Sequence, residues 1–277
     1  MADVITSYQG TIDEFMGDGI LVLFGAPIAR EDDAKRAVAC AVAMQLAMGK
    51  VNERMKQLGL PQLEMGIGIN TGEVVVGNIG SEKRTKYGIV GSQVNLTYRI
   101  ESYTLGGQIL ISESTLKEVG SIVRIDGQRE IQLKGIPQPT TIYEVGGISG
   151  EYNLFLFKET EVFVSLPEPI PLQYAVLDGK RIGDTLFKGR LVKLSAKEAE
   201  VRSDNVGEHF VPEPLSNIKL NLSMPKNHAE VSEDIYAKVL ERQTGNDSFY
   251  IHFTAKPPSV AAQLNALYNS IEERGYF

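Results

Sequence analysis

The chain reads as an α+β fold, a mixed sheet covered by helices, followed by a small β-barrel that ends in a helix. Three observations predict this. Residues 10–145 alternate strand-like apolar runs with helical patterns, residues 186–253 carry five short strand-like runs with no helix between them, and Val260 to Ile271 returns to helical spacing.

Gly10 to Phe24 predicts a hairpin, because the apolar run Ile20 to Phe24 follows the turn former Gly17-Asp18-Gly19. Glu31, Asp32 and Asp33 then open a pattern to Leu58 in which Ala34, Ala37, Val38, Ala41, Met44, Met48 and Val51 recur at helical spacing. A long amphipathic helix is expected. Leu63 to Ile79 is strand-rich, and Tyr87 to Val90 makes another short strand. Ser92 to Tyr103 has helical character and stops at Gly106-Gly107. Gln108 to Ser112 reads as a strand, Glu113 to Val119 as a short helix, and strands centre on Val123, Ile131 and Ile142.

Beyond Gly146-Gly147 the pattern breaks, since Ser149 to Leu172 carries Pro167, Pro169 and Pro171 and no helical period. The expected division is 1–147 for the first domain, 148–172 for a linker and 173–277 for the barrel. Strands are expected at Leu186 to Leu194, Ala199 to Arg202, Ile218 to Leu222, Ile235 to Leu240 and Phe249 to Phe253.

With 28 Lys and Arg against 35 Asp and Glu, the formal charge is -7, so no broad basic surface points to nucleic acid or an anionic membrane. No apolar run approaches the roughly 20 residues that span a bilayer, and the N-terminus lacks a signal-peptide pattern. A cytoplasmic chain is expected. The one cysteine, Cys40, sits in an Ala-rich helical pattern and reads as a small core residue.

Few residues suggest chemistry by themselves. Asp18 lies in an Asp-Gly turn, which between strands is more often a turn than a metal site. Asn95 and Arg99 are four apart on a predicted helix, so both could reach one ligand, or form an exposed capping or ion-pairing pair. Lys134, in Leu133-Lys134-Gly135, could bind phosphate or be a solvated turn lysine. His209, His228 and His252 are too widely spaced for a metal pattern.

Together the segments carry more. Gly10-Thr11-Ile12-Asp13-Glu14-Phe15-Met16-Gly17-Asp18-Gly19, Gly68-Ile69-Asn70-Thr71-Gly72-Glu73 through Gly80, Tyr87-Gly88-Ile89-Val90-Gly91 and Val94-Asn95-Leu96-Thr97-Tyr98-Arg99 resemble, in order and spacing, the class III adenylate and guanylate cyclases. The resemblance implies a ferredoxin-like mixed sheet and formation of a 3′,5′-cyclic nucleotide and pyrophosphate from GTP or ATP, a phosphorus-oxygen lyase activity. It makes Asp18 the second of two aspartates that hold magnesium or manganese ions. It gives Asn95 the ribose, Arg99 the α-phosphate in the transition state and Lys134 the terminal phosphates. Base choice falls to Glu14 and Gly88. Glu14 stands where the adenylate cyclases usually have lysine, and a carboxylate accepts from guanine N1–H and the exocyclic amine, which favours cyclic GMP. Glu14 as a plain surface strand residue is the alternative. The family works as head-to-tail dimers, so a homodimer or a partner cyclase chain is implied.

Sixteen residues precede Gly17, and the family's first strand and helix, with the first metal-binding aspartate and a phosphate cradle, are absent from them. Losing that carboxylate leaves the two-ion site incomplete, and losing a central strand leaves sheet edges unpaired. Activity from this chain alone is not expected, and a non-catalytic regulatory or dimerisation protein that retains the scaffold is the competing reading. Residues 173–277 are similar in layout to PilZ barrels, but the cyclic di-GMP motif Asp-x-Ser-x-x-Gly becomes Lys193-Leu194-Ser195-Ala196-Lys197-Glu198. Replacing Asp by Lys removes an acceptor, so cyclic di-GMP binding is not expected.

Overall fold

The computed structural model describes residues 1–81, 83–132, 139–157, 160–178, 181–183, 185–204, 211–223, 233–243 and 247–273. The chain divides into two compact units, 1–158 and 159–277. No helix among the described residues is long and apolar enough to cross a membrane.

The first unit opens with the short helix α1 (Ala2–Ser7) and the hairpin β1 (Thr11–Met16) and β2 (Gly19–Leu23). Gly17 takes φ +63° at the first position of the two-residue turn, which only glycine adopts without strain. Helix α2 (Asp33–Gln57) follows within two residues of the expected bounds at its N-terminus and one at its C-terminus. Next come β3 (Ile67–Ile69), the hairpin β4 (Val75–Ser81) and β5 (Arg84–Val90), α3 (Ser92–Ser102), β6 (Ile109–Ser112), α4 (Glu113–Val119), β7 (Val123–Ile131), β8 (Thr140–Ile148) and β9 (Leu154–Phe155).

These strands form three separate sheets. The main one runs β3-β6-β8-β7 with β9 on β8, while β1-β2 and β4-β5 each pair only within themselves. Strand β3 is parallel to β6 and, among the described residues, has no ladder on its other side. Helices cover both faces of β6: Ile109 and Ile111 meet Val38, Ala39, Ala41 and Val42 of α2, and Leu110 meets Ile100 of α3. That is why Ile109-Leu110-Ile111 reads as a continuous apolar run rather than an alternating one. A third cluster joins Ile5, Cys40 and Met44 to Ile12, Ile20 and Val22 of the hairpin and to Ile67. Burial raises the Cys40 thiol pKa to about 11, as suits an inert core residue.

Arg36, 6% exposed, ties the start of this unit together. Its guanidinium donates to Asp32 Oδ1 at 2.9 Å, to the Asp33 carboxylate and to the Tyr8 carbonyl at 3.0 Å, and lies 5.6 Å from the centre of the Phe24 ring.

The second unit is a closed barrel of six strands: β10 (Val164–Asp178), β12 (Phe187–Leu194), β13 (Glu198–Ser203), β16 (Ser248–Ala255), β15 (Ile235–Gln243) and β14 (Asn217–Leu222), which returns to β10. The short β11 (Arg181–Ile182) adds to β10, and α5 (Pro258–Glu272) packs Leu264 and Ile271 into the barrel's core cluster. All five runs read from the sequence are strands here.

The stretch 148–172, expected as a linker, instead carries β9 and the first half of β10. Val164, Leu166, Ile170, Leu172 and Tyr174 are buried while the three prolines face outward. Pro167 and Pro169 fall in the gap between the Ser165 and Ile170 pairings, where the ladder is interrupted and no amide donor is missed. Gly146-Gly147 is likewise no boundary. It lies inside β8, where a Cβ on Gly147 would come within 2.4 Å of the Phe155 ring and 2.7 Å of the Leu154 carbonyl, so glycine lets β9 cross.

Candidate functional site

Of the residues singled out from the sequence, Glu14, Gly88, Asn95 and Arg99 lie on β1, β5 and α3, elements that touch one another. Helix α3 is seated by the motif that precedes it. A Cβ on Gly68 would lie 2.5 Å from the Glu101 backbone nitrogen, so glycine there allows β3 to touch the helix directly. Asn70 donates to Gln93 at 2.9 Å (Oε1) and 3.2 Å (carbonyl), and Thr97 Oγ1 donates to the same carbonyl at 2.9 Å. These contacts fix the helix that carries Asn95 and Arg99.

Asn95 is exposed and Arg99 half-buried, on one face of α3. The Arg99 guanidinium makes no ion pair among the described residues, which leaves its donors for a ligand. The same helix presents Tyr98, whose hydroxyl lies 3.2 Å from Met16 Sδ on β1. That contact brings the helix to the strand bearing Glu14.

Strand β1 is irregular where it matters. Ile12 pairs with Val22 and Glu14 with Leu21, so Asp13 is the extra residue of a β-bulge. Glu14 Oε1 lies 2.8 Å from Lys86 Nζ on β5, and Asp13 approaches Gly88, two residues further along that strand. Lys86 and Gly88 share a face of β5. The Glu14–Lys86 pair has both side chains about half exposed, and such pairs contribute only about 0–1 kcal/mol, so a ligand can displace it. Burial first, then Glu14 and Asp13, raise the Tyr98 phenol pKa, while Lys86 opposes them. The site thus combines carboxylates on β1, a position without a side chain at Gly88 and a guanidinium on α3. Such a set can bind a flat heterocycle with a donor edge and a phosphate.

Asp18 stands at the exposed turn of the β1–β2 hairpin. Among the described residues no three His, Cys, Asp or Glu side chains gather to hold an ion. One exposed carboxylate does not make the two-ion site that the resemblance implies, because magnesium takes near-octahedral oxygen coordination, usually from one or two carboxylates plus waters and phosphates. Lys134 lies outside the described residues. Asp13, Lys86 and Tyr98 escaped the sequence reading, since their roles come from a bulge and a strand-to-helix contact that no spacing announces.

Residues 3–147 match the family model described as adenylate and guanylate cyclase catalytic domain. Adenylate cyclase 1 of Rhizobium meliloti is 30% identical over 154 residues, 55% of this chain and 23% of that protein. The adenylate cyclase of Anabaena cylindrica is 35% identical over 156 residues, 52% of this chain and 30% of that protein. The matches therefore span less than a third of the length of these two curated relatives. Among solved structures, the guanylyl cyclase Cya2 shares 67% identity with a TM-score of 0.55, covering 56% of this chain and 79% of that one. The adenylyl cyclase CyaB from P. aeruginosa shares 34% identity with a TM-score of 0.51, covering 55% and 79%. With the family model spanning more than half its residues, the chain belongs to the adenylate and guanylate cyclase catalytic domain family.

Proposed function

We propose that the first unit binds GTP in preference to ATP and forms the base-, ribose- and phosphate-reading part of a cyclase that makes 3′,5′-cyclic GMP and pyrophosphate. The observation that carries this is the Glu14 carboxylate on β1, which faces β5 and pairs there with Lys86 in a half-exposed contact. An ionised carboxylate only accepts hydrogen bonds. Guanine offers N1–H and an amino group at that edge, whereas adenine offers an acceptor at N1, so a carboxylate attracts one and repels the other. The 67% identity to a protein named a guanylyl cyclase supports the same choice.

In this reading Asn95 orients the ribose, and the permanently charged Arg99 neutralises charge that develops on the α-phosphate. Lys134 holds the terminal phosphates. Magnesium or manganese ions, when bound, would polarise the ribose 3′-hydroxyl and neutralise the departing pyrophosphate. Asp18 supplies one carboxylate to them. A homodimer or a partner cyclase chain completes the arrangement, and the exposed Phe15, Met16, Val75, Tyr87 and Val90 on β1, β4 and β5 offer apolar surface for it. The chain is cytoplasmic and by itself does not turn over.

The lone carboxylate also favours a second reading, a non-catalytic regulatory or dimerisation protein that keeps the scaffold. The barrel is a PilZ-like interaction module that does not take cyclic di-GMP. Its β12–β13 turn is closed on itself, with Glu198 N donating to Ser195 Oγ at 2.9 Å, and Lys193 is held 2.8 Å from Glu200. Cyclic nucleotide formation from GTP and from ATP with manganese tests the assignment. Expected are GTP binding without turnover by this chain alone and a switch of preference toward ATP in Glu14→Lys. Better binding of ATP by the unaltered chain would overturn the guanine reading, and turnover abolished by Asp18→Ala would overturn the non-catalytic one.

A further inference from the structure

Among the described residues one buried side-chain oxygen has no hydrogen-bond partner, Asp13 Oδ1. Removing a carboxylate oxygen from water without a replacement bond is unfavourable, and folds retain such atoms chiefly where function uses them. The bulge in β1 puts this oxygen where it is. Because Asp13 is the unpaired residue of the bulge, it and Glu14 both address β5, Asp13 toward Gly88 and Glu14 toward Lys86. A Cβ on Gly88 would sit 3.7 and 3.8 Å from the two Asp13 oxygens, in contact with both. That is ordinary contact, so the Asp13 carboxylate packs directly against Gly88.

The edge of guanine has more donors than Glu14 can take. Its N1–H and one amino hydrogen suit the two oxygens of one carboxylate, and the second amino hydrogen remains. We propose that Asp13 is a second base-reading residue, whose buried oxygen accepts that remaining hydrogen from a guanine entering over Gly88. The inference rests on the guanine reading of Glu14 and assigns a further determinant of the same specificity. A polar group built to meet a ligand donor rejects analogues that lack it, because it is then left buried and unpaired.

Inosine triphosphate, which has N1–H but no 2-amino group, isolates this contact. Affinities of GTP, inosine triphosphate and ATP with manganese are to be measured by calorimetry on the full chain and on Asp13→Ala, Asp13→Asn and Glu14→Ala, together with thermal melting. The unaltered chain is expected to favour GTP over inosine triphosphate by about tenfold, the size of one charge-assisted hydrogen bond. Asp13→Ala should erase that ratio, leave inosine triphosphate binding unchanged and melt no lower than the parent, since it removes an unpaired acceptor. Asp13→Asn, of the same shape, should move the ratio in the same direction. Equal losses for GTP and inosine triphosphate, or a lower melting temperature in both Asp13 variants, would mark Asp13 as structural and overturn the proposal. A GTP preference over ATP that falls in Glu14→Ala, with a GTP to inosine triphosphate ratio indifferent to Asp13, sinks the Asp13 assignment alone. If the unaltered chain does not prefer GTP to ATP, the guanine reading fails and this inference with it.

Discussion

The two units solve the problem of strand edges in opposite ways. In the barrel, β10 closes on β14 and every long strand has two neighbours. Among the described residues of the first unit the strands fall into three sheets, β3 is paired on one side only, and the hairpin β4–β5 pairs with nothing beyond itself. The buried core reflects this. Strand β6 is buried throughout, whereas β1, β2 and β3 are at best half-buried. The candidate site lies on the open side of this contrast, on β1 and β5, where unpaired surface is available to a ligand or a second chain.

Perturbing the cores should expose the contrast most strongly. Ile251, fully buried between Ala199 and Val239, is expected to lose about 4 kcal/mol of stability on replacement by alanine, while Val22→Ala in the half-buried hairpin should lose about 1 kcal/mol. Denaturant unfolding followed by unit-resolved hydrogen exchange separates the two. Similar losses would mean that the hairpin is as tightly held as the barrel.

Arg36→Ala comes next, because it takes the guanidinium donors from Asp32 Oδ1, Asp33 Oδ1 and the Tyr8 carbonyl at once. A loss of about 3 kcal/mol is expected, confined to the first unit. An equal change in the barrel's exchange would contradict the independence of the two units. Smaller in energy is the difference between the hairpin and its own sheet. Amides of β4–β5 should exchange about a hundredfold faster than those of β6, by local opening, and the gap should narrow when GTP binds.

The smallest effect is acid dependence. Asp32 is held below the usual carboxylate range by its hydrogen bond to Arg36, and Asp234 in the barrel by those to Lys219 and Asn221. A depressed folded value means that each contributes stability in full above about pH 4, lost as pH falls through the lower folded value. Both carboxylates are nearly half exposed, so the contribution is slight. Asp32→Asn should flatten the acid limb of the first unit's melting curve and leave that of the barrel unchanged, and Asp234→Asn should do the reverse.

Much of the fold was legible because its signals are local. The hairpin turn at Gly17-Asp18, the period of α2, and Glu113–Val119 as a helix follow from turn chemistry and spacing, and the strand runs of the barrel follow from apolar alternation. Where local signals conflicted, tertiary structure decided. The alternation Val164, Leu166, Ile170, Leu172, Tyr174 was present in the sequence, but three prolines argued against a strand until the interruption in the β10 ladder accommodated two of them.

At the site, the residue types alone supply a carboxylate at position 14, no side chain at position 88, and an asparagine and an arginine one helical turn apart. What each of them faces follows from how the segments pack. Spacing along a chain fixes which side chains share a helix face, but it does not show that a one-residue bulge turns Asp13 toward Gly88, that Lys86 meets Glu14, or that Tyr98 reaches Met16. Those contacts join residues distant in sequence, and their distances are set by how β1, β5 and α3 meet one another rather than by any of the three segments alone.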